Sequence, residues 1–210
     1  MENWLRRTER RLDFLAVPGL ALFLAAMNAA VGILSMIKPG FPGELALDPE
    51  LLLQGQAWRG LTYIFIPPAG GSIWLVLWLL LYYGYLRMLE NVWGDLRLTL
   101  FCLLGALSTT AVSLIFGEPL SSSVFNASLF LAFARIHPEF EVLLFFILPV
   151  KMKWLANLLW AMLAWNFLFG ALTEKAWLAG GLAHYWLFFG SGHIQEIRGL
   201  LRRWRNRNRY

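Results

Sequence analysis

The sequence predicts an all-α, polytopic membrane protein with six transmembrane helices. Three observations lead there. The 210 residues are 59% hydrophobic, with a mean hydropathy of +0.57, whereas soluble domains are about 45–50% apolar. The apolar residues fall into blocks close to the ~20 that cross a bilayer. The basic residues alternate between the intervals in a way that sorts them to one side of a membrane.

Helices are expected over 14–37, 70–86, 98–116, 121–134, 154–173 and 176–192, within one domain of residues 1–210 whose core covers 12–192. The first apolar run exceeds the 7–15 residues of a signal-peptide core, so it reads as a permanent span. The interval after it, KPGFPGELALDPELLLQGQAWRG, contains two Pro-Gly turns. Asp48-Pro49 within it has the form of a cap followed by proline at the first helical position. Leu51 to Leu53, Trp58 and Tyr63 make that outer loop apolar enough to sink partly into the leaflet, with Arg59 snorkelling to water. The third helix carries the one cysteine, Cys102, which excludes a disulfide framework and reads as a small core or lipid-facing residue.

The fourth helix is short. From Ser123 to Ala134 it rises about 17 Å, little over half of a ~30 Å hydrocarbon core. Its start therefore lies inside the membrane, reached by residues 118–122, and irregular backbone at that depth is tolerated only where protein buries it or water reaches it. The segment from Phe140 to Ala156 is broken by Pro149 and reads as surface-lying chain feeding the fifth helix.

With six spans and both termini cytoplasmic, every one of the 18 basic residues except Lys38, Arg59 and Lys175 falls on the inner side. The basic tail of residues 193–210, LLRRWRNRNRY at its end, is then explained by anionic lipid headgroups and needs no nucleic acid. His137 and His193 stand at the ends of spans without paired ligands, so no metal is expected, and no cofactor either.

The stretch GQAWRGLTYIFIPPAGGSIWLVLWLLLYYGYLRMLENVWG, from Gly55 to Gly94, joins Trp58-Arg59 at a membrane edge to a helix ending in Leu89-Glu90 and Trp93-Gly94. This layout, together with ILPVKMKWLA far downstream, resembles the rhomboid superfamily of intramembrane serine proteases. The resemblance spans about Gly55 to Gly190 and implies a six-helix rhomboid-like fold with a half-embedded first outer loop. The downstream pattern resembles bacterial members, which implies a bacterial inner membrane. Alignment on Ala132-Phe133-Ala134 and Pro138 places Ser123 at the family's nucleophile and His184 at its general base. Where the family has Gly-x-Ser-Gly, this chain has Ser121-Ser122-Ser123-Val124, and Leu187 stands where a glycine is expected. The histidine and asparagine that support the oxyanion in active members become Trp74 and Trp78. Asn126, one turn below Ser123, is the nearby amide left to replace them.

Depth offers a check independent of resemblance. His184 lies about 12 Å below the outer face if its helix begins at Ala176, and Ser123 about 13 Å, so a dyad is sterically allowed. Against it, three serines at a helix start are what capping of free N–H groups calls for. A histidine inside a span is expensive and usually functional, yet a hydrogen bond to a neighbouring helix also satisfies it. Loss of an oxyanion donor costs about 10²–10³ in rate.

The pattern is similar to that of the derlins, inactive members that keep the Trp-Arg and Leu-Glu motifs. The expected function is therefore a proteolytically inactive or strongly impaired relative that binds transmembrane segments of clients, with membrane lipids as its other partners. The alternative is an intramembrane serine endopeptidase using Ser123 and His184. A transporter or channel is disfavoured, because no Asp, Glu, Lys or Arg lies in the interior of a span.

Overall fold

The computed structural model describes residues 13–68, 72–144 and 148–207. Arg6, Arg7, Arg10, Arg11 and Arg209 of the expected inner face lie outside the described residues. Helix α1 (Leu20–Ile37) is followed by three short helices, α2 (Phe41–Leu45), α3 (Pro49–Leu53) and α4 (Arg59–Thr62), which form the first long loop. The long helices α5 (Ser72–Trp93) and α6 (Asp95–Phe116) come next, then α7 (Ser123–Ile136), strands β1 (Glu141–Leu144) and β2 (Leu148–Lys151), and helices α8 (Met152–Phe169), α9 (Leu172–Gly181) and α10 (Ala183–Arg207). Among the described residues, α1, α5 and α6 are both long and apolar enough to cross a membrane. That is fewer than the six expected: α7 has 14 residues, α8 carries Lys153, Asn157 and Asn166 along its 18 residues, and the segment expected as the sixth span is broken in two.

Local chemistry accounts for the boundaries. Asp48 caps α3 by accepting from the N–H groups of Glu50 and Leu51, with Pro49 next to it, as its sequence predicts. Gly94 at φ +78° turns the chain between α5 and α6 without a spacer. Gly117, left-handed at φ +70°, ends α6 with its N–H on the carbonyl of Ser113. Residues 118–122 then run down to α7, held by Leu120 N–H on the carbonyl of Leu47 at 3.3 Å and by Ser113 Oγ on the carbonyl of Glu118 at 2.7 Å.

Helix α7 is the centre of the fold. Phe125, Leu129, Leu131, Ala132 and Phe133 are fully buried, and α5, α6, α8 and α9 all pack on it. The first loop is fixed by Arg59, only 6% exposed. Its Nη1 donates to the carbonyls of Gly43 (2.7 Å) and Ala46 (2.9 Å), and its Nε to Gln56 Oε1 at 2.7 Å. Thr62 Oγ1 adds a bond to the carbonyl of Leu45 at 3.0 Å. The anchor is protein backbone, and Trp58 remains exposed beside it.

Three features differ from the sequence reading. First, Glu90, which the sequence places only at the end of a span, ties α5 to α1: its Oε1 accepts from Ala21 N–H at 3.1 Å, in the first turn of α1. Gly19 caps that helix without a side-chain bond, so a carboxylate from α5 serves an N-terminus that lacks its own cap. Oε2 accepts from Arg87 Nη1 at 2.5 Å. Glu90→Gln keeps one oxygen for Ala21 but loses the charge, and is expected to lower stability in detergent by about 1 kcal/mol, from the helix-terminus interaction with little from the half-exposed arginine. An unchanged melting temperature would contradict this role.

Second, the segment before α8 is a β-hairpin, with Val142 opposite Val150 and Leu143 opposite Pro149. Proline is tolerated here because a two-stranded hairpin has only edge strands. At its base Glu139 accepts from Lys151 (2.8 Å) and Lys153 (2.6 Å). These hydrogen bonds, that of Lys151 first, pull its carboxyl down to about 2. The closure is thus fully present above the ordinary carboxylate range and is lost as pH falls toward that value.

Third, the helix expected as a sixth span starts at Leu172, is interrupted at Leu182 and runs on to Arg207, where a tail is expected. The break follows Gly180-Gly181, a common cause of kinks. A β-carbon at Gly181 would stand 2.6 Å from Val124 Cγ1, so glycine lets α9 close on α7.

Candidate functional site

Ser123 and His184 are not paired. Ser123 is exposed at the first turn of α7, and its Oγ lies 2.9 Å from Ser121 Oγ. Ser121 Oγ also accepts the Ser123 N–H at 3.4 Å, a helix-start role of the kind serine favours. Ser122 Oγ donates to the carbonyl of Ile66 at 2.9 Å. His184 instead meets Ser128, with Nε2 2.7 Å from Oγ.

The chemistry of that pair follows from counting hydrogens. Ser128 Oγ also lies 2.7 Å from the carbonyl of Phe125, and a carbonyl can only accept. The one hydroxyl hydrogen of Ser128 therefore goes to Phe125, and His184 Nε2–H donates to Oγ. The hydrogen-bond network thus assigns the tautomer. Nδ1 is left as a buried lone pair with no partner among the described residues. A histidine that donates to the serine does not take its proton. The opposite tautomer would orphan an N–H donor and leave the Phe125 carbonyl without the hydroxyl.

The pair is also dry. Ser128 is 0% and His184 2% exposed. The Phe101 ring stands edge-on to the imidazole at 4.5 Å and the Phe125 ring lies 6.4 Å away. Gly105 of α6 completes the wall: a β-carbon there would come within 2.9 Å of Cε1 and Nε2. The pair links α7 to α10 against α6, and it was not foreseen. Two signals for it exist in the sequence: a serine inside the apolar run VFNASLFLAF, which must find a partner, and Gly105 inside an apolar helix, the mark of close helix approach.

Ser123 opens on different surroundings. It lies with Asn126 on a groove of about 530 Å³ between α5 and α8, floored by α7 and lined mainly by Trp78, Leu81, Phe130, Leu155 and other apolar side chains. Neither Ser128 nor His184 reaches it. Asn126 donates through Nδ2 to Ser122 Oγ at 3.4 Å, while its Oδ1 is buried without a partner among the described residues. Of the two tryptophans expected to displace oxyanion support, Trp78 lines the groove and stacks on Tyr82 at 4.4 Å. Trp74 is 57% exposed and does not fill it. Among the described residues no group of His, Cys, Asp and Glu is arranged to hold a metal ion.

Long apolar helices and an apolar lateral groove define a multi-pass, all-helical integral membrane protein. Residues 19–193 match the family described as "Eukaryotic integral membrane protein (DUF1751)", and the chain belongs to that family. No curated protein matches the sequence. The family's description overturns the expected bacterial inner membrane. That expectation rested on the resemblance of ILPVKMKWLA to bacterial members, and a pattern of ten residues does not report which organism's membrane holds the chain.

Proposed function

We propose that the chain is a rhomboid-like membrane domain over residues 1–210, core about 12–192, which has lost proteolysis and binds transmembrane segments of other membrane proteins. In this reading α7, α8 and the α9–α10 pair complete six membrane-inserted segments around α1, α5 and α6. The observation that carries it is the separation of the two sites. The groove that a client helix would enter holds Ser123 and Asn126, while the histidine is sequestered with Ser128 behind a wall of phenylalanines. A groove so lined suits an apolar helix. The endopeptidase reading would require His184 to leave Ser128 and cross to Ser123.

The groove is tested with a defined client. A photo-reactive residue replacing Leu81, which lines the groove, should crosslink a single-span model peptide in nanodiscs. The same residue replacing Leu107, exposed on α6 away from the groove, should crosslink it far less. Equal yields at the two positions would contradict client binding in the groove.

A further inference from the structure

Gly32, Gly105, Gly180 and Gly181, each inside a helix, have a packing cause. A β-carbon at Gly32 would stand 2.6 Å from Leu75 Cδ2, one at Gly105 2.9 Å from the His184 ring, and one at Gly181 2.6 Å from Val124 Cγ1. Gly180 is closed off in the same way by Val112. Gly84 of α5 is different. It is exposed, and a β-carbon there would meet nothing within 4 Å among the described residues. Glycine is the least favourable residue in a helix interior after proline, and no contact among the described residues offsets that here. Helix α5 runs through Gly84 unbroken, so no kink requires it either.

Its surroundings supply a cause. Gly84 lines the groove of about 530 Å³ between α5 and α8, on the α5 wall with Trp78, Leu81, Tyr85 and Met88. The other α5 residues on that wall are large, so Gly84 leaves a notch, with Leu81 about 4.5 Å before it along the helix and Met88 about 6 Å after it. Such a notch suits a helix better than an acyl chain. A lipid tail bends over whatever side chains it meets and has no use for a missing one. A helix is a stiff cylinder, held about 8–10 Å from its neighbour's axis by the side chains at the contact. Within a bilayer the attraction between helices is close packing, and small residues allow it by letting backbones approach.

We infer that Gly84 is the point at which a client helix crosses α5, and that it selects apolar helices carrying a small residue, glycine or alanine, at the same depth. Gly84 stands about 9 Å of helix before Glu90, so that depth lies in the half of the bilayer holding the C-terminal end of α5. This rests on client binding in the groove and adds the feature of the client that is read there.

Photo-crosslinking of the full chain in nanodiscs tests it, with a photo-reactive residue replacing Leu155 on the α8 wall. The probes are two lysine-flanked polyleucine peptides of one span. One carries a turn of alanines in each half, so that either orientation presents alanine at the depth of Gly84. With Gly84 in place, the alanine peptide should crosslink about fivefold more than the plain one. Gly84→Leu fills the notch and should bring the two peptides to equal yields. Melting in detergent separates docking from a role in the fold. Gly84→Ala should melt at or above the wild-type temperature, because its β-carbon has room and alanine favours helix. Gly105→Ala, which crowds His184, should melt lower. Equal yields of the two peptides with Gly84 in place, or a preference that survives Gly84→Leu, would overturn the inference and leave groove binding standing. A Gly84→Ala variant that melts as low as Gly105→Ala would overturn it as well, by making the glycine structural. If neither peptide crosslinks at Leu155, groove binding itself falls, and this inference falls with it.

Discussion

His184→Ala is expected to destabilise the protein in detergent by about 3 kcal/mol, mostly through the cavity it leaves. Hydrogen bonds between membrane helices average about 0.6 kcal/mol and reach about 1.7, so loss of the bond to Ser128 alone is the smaller part. The imidazole is 2% exposed between Phe101, Phe125 and Gly105, and those walls belong to helices that cannot collapse far onto an alanine. Ser128→Ala removes only the hydroxyl, strands the Nε2–H, and should cost about 1 kcal/mol. The double variant should cost less than the sum of the two, because the bond is lost only once. If His184→Ala melted with the wild type, the residue would not be a packing element, and the case for a sequestered histidine would fail.

Arg59→Ala is the second large effect, also about 3 kcal/mol, though hydrogen bonds of this charged kind are individually worth about 1.5–3 and do not add. The guanidinium holds Gly43, Ala46 and Gln56 at once, tying α2 and its following turn to α4. Its removal leaves two carbonyls and an amide without their donor in a largely buried place. Arg59→Lys should recover only part, since one ammonium cannot reproduce the fork that spans these acceptors. The melting temperature in detergent reads the stability, and protease nicking between Lys38 and Gly60 reads the loop. Wild-type values of both in Arg59→Ala would contradict the anchor.

Much of this fold is written in hydropathy, which reports length and burial well. The long helices α1, α5 and α6 all appear, though α1 starts six residues later and α5 ends seven residues later than expected, and α7 is short as its sequence requires. The cap at Asp48 rests on side chains acting on neighbouring backbone, which sequence can express. The partner of Glu90 cannot be read that way: a carboxylate at a helix end finds whichever N-terminus the packing brings near. The hairpin is hidden because its strands, EVLL and LPVK, do not alternate apolar with polar and contain a proline.

The misplaced histidine has a measurable cause. Counting depth from Ala176 put His184 level with Ser123, but the helix begins four residues earlier, at Leu172. Those four residues move His184 about 6 Å deeper, and five residues along α7 lead about 7.5 Å from Ser123 to Ser128. A boundary error of one helical turn is therefore enough to exchange one serine for the other. The tautomer follows from a carbonyl, that of Phe125, which sequence alone does not place beside the hydroxyl.

The central claim is that the serine in the groove is not activated by a histidine. Labelling of the purified protein by a serine-directed fluorophosphonate tests it most directly. The account predicts no labelling of wild type, because Ser123 Oγ pairs with Ser121 Oγ and His184 donates to Ser128. Labelling of wild type that disappears in both Ser123→Ala and His184→Ala would contradict it and establish an intramembrane serine protease.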